Sequence, residues 1–149
     1  MLRQARVTDV PAIHRLISRF ADKDLMLPRS RSRIYEMLRD FLVEDDEGAV
    51  VGTGALKVLW EDLGEICSLA VEETHQGAGA GSRIVENLIS QAILLELKRV
   101  LVLTYIPGFF KRFGFYEVDK SELPHKVWME CVNCPKFPDC GELALVKDL

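Results

Sequence analysis

Between Leu69 and Ser82 the chain reads Leu-Ala-Val-Glu-Glu-Thr-His-Gln-Gly-Ala-Gly-Ala-Gly-Ser, an apolar run of strand character that passes through a glycine-rich turn into a long helical pattern. That junction restricts the fold more than any other segment. A helix start leaves its first backbone N–H groups without partners, and small residues let a ligand approach them, so the pattern predicts an anion cradle suited to a diphosphate. A tight strand-to-helix turn that binds nothing is the alternative left open by composition. Downstream, Ile84, Val85, Leu88, Ile89, Ala92 and Leu95 recur at helical spacing, with Lys98-Arg99 expected near the helix end.

Context weakens two familiar cradles. A Walker loop needs Lys before its Ser or Thr, whereas here Gly81-Ser82-Arg83 follows the glycines. A dinucleotide fold places its loop after the first strand of a parallel unit. Here Phe41 to Val43, Ala49 to Leu59 and Glu65 to Val71 already read as strands, separated by turn-like Glu44 to Gly48 and Trp60 to Gly64, an antiparallel meander. Upstream, Leu2 to Arg6 reads as a short strand. Thr8 is expected to cap a helix with Pro11 in its first turn and Ile13, Leu16, Ile17 and Phe20 on its apolar face. Ile34, Tyr35, Leu38 and Phe41 suggest a second amphipathic stripe. Val100 to Thr104 is expected as a central strand buried on both faces. Gly108 to Phe113 reads as a short helix stopped at Gly114, and Phe115 to Val118 and Leu143 to Val146 read as extended. A Cys- and Pro-rich segment, 123–141, has no clear period, and one α/β domain over residues 1–149 is the simplest partition.

A chain of 149 residues with 48% hydrophobic content can bury a core without disulfides or metal. Its net charge of −4 offers no electrostatic footprint for phosphate backbones, so no nucleic-acid partner is expected. No apolar run is long enough for a bilayer, and Met1 to Asp9 reaches polar residues too soon for a signal peptide. The expectation is a cytoplasmic protein with no membrane partner and with reduced cysteines.

Gln76-Gly77-Ala78-Gly79-Ala80-Gly81 matches the Gln/Arg-x-x-Gly-x-Gly/Ala signature of the GNAT acetyltransferases in its strand-loop-helix setting. The chain resembles that family over nearly its whole length, through Leu69-Ala70-Val71, the strand Val100 to Tyr105, and Phe110-Lys111-Arg112-Phe113-Gly114-Phe115, where Phe110 replaces the family's Tyr. The resemblance implies a GNAT fold of the α/β (α+β) type, a mixed and largely antiparallel sheet flanked by helices. It implies acetyl-CoA as donor, with its pyrophosphate on Gln76, Gly77, Ala78, Gly79, Ala80, Gly81 and Ser82, its pantetheine arm along Leu69, Ala70 and Val71, and Phe110 in the cofactor-binding set. Within the family, Leu25 to Ser30, Gly64 to Val71 and Leu101 to Thr104 resemble the acetyltransferase domain of N-acetylglutamate synthase. That implies L-glutamate as acceptor and arginine biosynthesis as pathway. The amino-acid-kinase-like domain of the usual bacterial form does not fit in this length, so its regulation by arginine is not carried over.

Acetyl transfer to an amine needs a proton acceptor, a polarised thioester carbonyl and a tolerable thiolate. The resemblance places the general base at Glu65, whose other reading is a solvated strand carboxylate; Glu61 and Asp62 fall in a turn. Backbone amides near Leu69 and Ala70 are the expected oxyanion donors if the strand is bulged. A thiol titrates near about 8.5, so its thiolate leaves without strong acid help, and Tyr105 or a water is the candidate proton donor. Arg29 and Arg31, with Lys126 as a further candidate, are the residue types that bind an acceptor carboxylate; an exposed helix entry is their other reading. Cys131-x-x-Cys134 with Cys140 and His125 partly matches a zinc knuckle, so structural zinc or plain reduced thiols both remain open. Cys67 reads as a small buried hydrophobe, and His75 either contacts cofactor or shapes the turn. Competing readings are an acetyltransferase for another small amine or a protein N-terminus, and a non-catalytic acyl-CoA-binding module whose Cys-rich segment docks a partner or metal. A homodimer is compatible with either.

Overall fold

The computed structural model describes residues 1–124 and 141–149. In chain order they form β1 (Leu2–Gln4), α1 (Val10–Asp22), α2 (Arg31–Glu36), β2 (Phe41–Asp46), β3 (Ala49–Trp60), β4 (Leu63–Val71), α3 (Ala80–Leu94), β5 (Arg99–Thr104), α4 (Pro107–Lys111), β6 (Tyr116–Val118) and β7 (Leu143–Asp148). The strand order is β1-β2-β3-β4-β5-β7-β6, with β4 and β5 parallel and the pairs β1–β2, β2–β3, β5–β7 and β6–β7 antiparallel. This is the mixed, mostly antiparallel sheet that the resemblance implied. Two compact units are formed, one from Met1–Lys57 and Ile66–Gln91, the other from Val58–Glu65 and Ala92–Leu149.

In the first unit, β2 and β3 are joined at Glu47-Gly48, both at positive φ (51° and 89°), the conformation a two-residue hairpin demands. Only two residues are needed to turn. The acidic run expected as a loop therefore continues as strand to Asp46, and Asp45 Oδ1 accepts the Gly48 N–H at 2.7 Å. Likewise the turn after Trp60 is only Glu61-Asp62.

Alternation along these strands sorts side chains to two faces. Phe41, Val43 and Ala55 join Val10, Ile13, Ile17 and Ile34 in one apolar cluster with α1 and α2. On the other face α3 lies directly on glycines. A Cβ placed on Gly54 would stand 2.7 Å from Ile84 Cγ2 and 3.4 Å from Leu88 Cδ1, so this approach requires a missing side chain.

Three local expectations are corrected. Thr8 does not cap α1. It lies inside a 3-10 turn, Val7–Asp9, and the Asp9 carboxylate takes the Arg6 N–H at 2.7 Å while receiving Arg3 at 2.7 and 3.0 Å. The second stripe is broken because α2 stops at Glu36 and Phe41 opens β2, which leaves Ile34 buried and Tyr35 exposed. Leu95 is exposed because α3 ends one residue earlier, well short of Lys98.

In the second unit Leu63, Gly64 and Glu65 run parallel to Arg99, Val100 and Leu101. β5 then pairs with β7 from Arg99↔Asp148 to Thr104↔Leu143. Leu59, Leu63, Leu101, Ala144 and Val146 make its core. α4 is shorter than expected and its exit turns at Gly114, φ +91°. No helix among the described residues is long and apolar enough to cross a membrane.

Candidate functional site

The glycine loop leaves the end of β4 and enters α3. Gly77 and Gly79 hold φ values of +86° and +85°, a region that side chains rarely adopt. A Cβ on Gly77 would meet nothing within 4 Å, so that position is open as well as left-handed. Within the loop the Gln76, Ala78 and Arg83 amides bond to the carbonyls of Glu73, His75 and Gly79. Among the described residues no backbone acceptor is found for the amides of Gly77, Gly79, Ala80, Gly81 and Ser82. These donors sit where a helix start concentrates positive partial charge, and the residues present fit a diphosphate.

Side chains fasten this loop from both flanks. Arg19 of α1 and Lys23, the residue after it ends, reach Glu72 at 2.7 Å and Glu73 at 2.5 Å, and the Lys23 ammonium holds the Glu73 carboxyl below its usual range. His75 Nε2 lies 3.0 Å from Asp46 Oδ2 and its Nδ1 3.0 Å from Thr74 Oγ1, which makes it a residue that shapes the turn. Gln76 Nε2 donates to the Val71 carbonyl at 3.0 Å. Beyond the glycines, Arg83 Nη1 donates to the Ala78 carbonyl at 3.2 Å while Nε donates to Glu44 Oε1 at 3.0 Å. Glu44 is a buried carboxylate of β2. Sequence reasoning missed Glu44 and Arg83; the interruption of the apolar run Phe41 to Val43 by an acid was the available signal.

Ser68 is the second feature. It sits inside β4 at φ +55°, a conformation that costs a residue with a Cβ roughly 1–2 kcal/mol. The strand changes phase there. Cys67 packs with the α1/α2 cluster, yet Leu69 and Val71 approach Gly54 and Gly52 on the face that α3 covers. In a regular strand residues 67, 69 and 71 would share a face, so Ser68 marks the extra residue of a β-bulge. Its Oγ accepts a hydrogen bond from Arg29 Nε at 2.9 Å. Arg29 is only 9% exposed, whereas Arg31, the first residue of α2, is exposed and Ser30 Oγ caps that helix through the Arg33 N–H at 3.1 Å. The structure therefore separates the two arginines, burying Arg29 and exposing Arg31.

Glu65 and Tyr105 belong to the second unit, both half-buried; Glu65 is in register with Leu101, and Tyr105 follows the end of β5. Phe110 is 3% exposed and meets Phe109 and Phe115 edge-to-face, with ring centroids 5.0 and 5.7 Å apart. Lys126, His125, Cys131, Cys134 and Cys140 lie outside the described residues. Among the described residues no three His, Cys, Asp or Glu side chains gather as metal ligands.

The Acetyltransferase (GNAT) family signature matches residues 10–115, a span that includes both the bulged strand and the glycine loop. The chain belongs to the GNAT acetyltransferase family. It is 43% identical, over 99% of its length and 96% of the relative's, to an uncharacterised N-acetyltransferase of Chlorobaculum tepidum. It is 41% identical over 133 residues to an amino-acid acetyltransferase of Mycobacterium tuberculosis, covering 87% of this chain and 76% of that protein. Among solved GNAT structures, N-acetylglutamate synthase from Neisseria gonorrhoeae, complexed with coenzyme A and N-acetyl-glutamate, superposes with a TM-score of 0.91 at 28% identity. That match covers all of this chain and 35% of the longer enzyme. A Mycobacterium tuberculosis protein solved with CoA and NLQ gives 0.87 at 36% identity, covering 100% and 99% of the two chains. As a GNAT member the chain is an N-acetyltransferase that takes its acetyl group from acetyl-CoA.

Proposed function

We propose that this chain transfers the acetyl group of acetyl-CoA to the α-amine of L-glutamate, giving N-acetylglutamate and free CoA, in the service of arginine biosynthesis. The observation that carries the choice of an acidic acceptor is Arg29, a guanidinium 9% exposed and held by Ser68 at the bulge of β4. A buried arginine favours a ligand with a carboxylate, which it can bind in bidentate fashion. The amino-acid acetyltransferase and N-acetylglutamate synthase relatives support the same reading.

In this proposal the amides of Gly77, Gly79, Ala80, Gly81 and Ser82 take the pyrophosphate, Leu69, Ala70 and Val71 run along the pantetheine arm, and Phe110 helps shape the cofactor side. A bulge takes one residue out of the strand ladder, so its N–H is available to a developing oxyanion. Glu65 accepts the ammonium proton. The neutral amine then attacks the thioester carbonyl directly in a ternary complex. The new N–C bond forms, the C–S bond breaks, the nitrogen gives up its second proton to water, and the thiolate leaves with a proton from Tyr105 or water. Arg29, with Arg31 and Lys126 as further candidates, holds the acceptor carboxylates.

Release of free thiol from acetyl-CoA, followed with the purified chain and a panel of amino acids, small amines and N-terminal peptides, tests this. Turnover with glutamate well above the rest is expected. Turnover with another amine but not glutamate overturns the acceptor assignment, and cofactor binding without turnover on any amine favours an acyl-CoA-binding module.

A further inference from the structure

Ser68 carries two features that a regular strand residue lacks: a left-handed backbone at φ +55°, and a hydroxyl that accepts Arg29 Nε at 2.9 Å across 39 residues of sequence. Inside a strand, away from any turn, a Cβ-bearing residue in that region is held there by contacts with its surroundings. The Arg29 bond is such a contact. The same bond holds the guanidinium at its Nε edge, and how the planar fork is turned decides how a carboxylate is met.

We propose that Ser68 is a positioning residue for the acceptor: its hydroxyl helps to orient Arg29, so that a hydrogen bond links the bulge of β4 to the acceptor's carboxylate anchor. This rests on Arg29 as the anchor proposed above. Regular alternation would send the residue 68 side chain to the face opposite Cys67; the bulge allows Cys67 to pack with the α1/α2 cluster while Ser68 still meets Arg29 from the α1–α2 connection. The positive φ is thus what lets this hydroxyl reach that arginine.

Three variants separate the possibilities, each read by KM for glutamate, kcat and the Kd of CoA. Ser68→Ala removes the hydroxyl and keeps the strained Cβ. Ser68→Gly removes the hydroxyl and relieves the backbone. If the hydroxyl orients Arg29, both raise the acceptor KM by roughly 3- to 10-fold, the worth of one hydrogen bond, with the Kd of CoA unchanged. If Ser68 matters only for its backbone, Ser68→Gly leaves KM at the wild-type value, and the proposal is overturned. Arg29→Lys tests the underlying anchor. A raised KM there beside unchanged KM in both Ser68 variants rejects the positioning role alone, whereas an unchanged KM in Arg29→Lys rejects the anchor and the positioning role together. Combining Arg29→Lys with Ser68→Ala is expected to add little beyond Arg29→Lys, and full additivity of the two effects contradicts a shared action.

Discussion

Arg83, at the first turn of α3, grips the buried Glu44 of β2 and with the same guanidinium holds the Ala78 carbonyl of the glycine loop. Glu44 keeps the arginine in place, and the arginine turns one loop carbonyl toward itself. Removing the guanidinium leaves a carboxylate shielded from water, with the Met1 ammonium 3.6 Å from its Oε2. Arg83→Met is therefore expected to lose about 1–3 kcal/mol in urea unfolding and to weaken CoA binding in calorimetry. Glu44→Gln keeps a neutral acceptor and is expected to do less of both. Wild-type CoA affinity in Arg83→Met would remove its claim on the loop.

Gly79 is left-handed at φ +85°, and its amide is among those with no backbone acceptor among the described residues. Gly79→Val sets a branched side chain in a region that costs about 1–2 kcal/mol and crowds the approach to those amides. The expected result is a Kd for CoA raised at least about tenfold. Gly108, where a Cβ meets nothing within 4 Å, is the control; Gly108→Ala is expected to leave Kd unchanged.

Glu65→Gln keeps shape and hydrogen bonding but cannot take a proton. Its kcat is expected to fall by roughly 100-fold or more while the Kd of CoA stays within about twofold, the split between proton transfer and cofactor binding. Unchanged turnover would reject Glu65 as the base.

The packing of α3 against β3 is tested at Gly54, where an added Cβ falls 2.7 Å from Ile84 Cγ2. Gly54→Ala is expected to destabilise by about 1–3 kcal/mol through overpacking. Ile84→Ala removes that Cγ2, so in the double variant the two costs are expected to fall short of their sum.

Acid stability follows from Asp9. The Arg3 guanidinium, and secondarily the Arg6 amide, hold its carboxyl below the usual carboxylate range. A depressed carboxyl contributes stability that is fully present above the unfolded value and is lost as pH falls through the folded one. Unfolding free energy is expected to decline below about pH 4, and Asp9→Asn, less stable at neutral pH, is expected to show a shallower decline.

The glycine loop was legible in the sequence because its requirements are local: glycines at the two left-handed positions, a strand before and an apolar helical period after. The bulge was not. Cys67-Ser68-Leu69 reads equally well as uninterrupted strand, and the arginine that meets the Ser68 hydroxyl lies 39 residues away. Arg29 and Arg31 carry the same charge in the same short run, and only packing buries one of them. Glu44 was concealed by its neighbours, since four consecutive acids resemble a turn when the turn itself uses just Glu47-Gly48. Leu95 misled in the opposite direction, by continuing the apolar period after the helix had ended.

Titration of the ¹⁵N-labelled chain with CoA, followed amide by amide, tests the central claim most directly. The account predicts that the largest shifts fall on Gly77, Gly79, Ala80, Gly81 and Ser82, and that ADP reproduces them without disturbing Leu69 to Val71. Shifts confined to other parts of the chain, with these five amides unmoved at saturation, would contradict it.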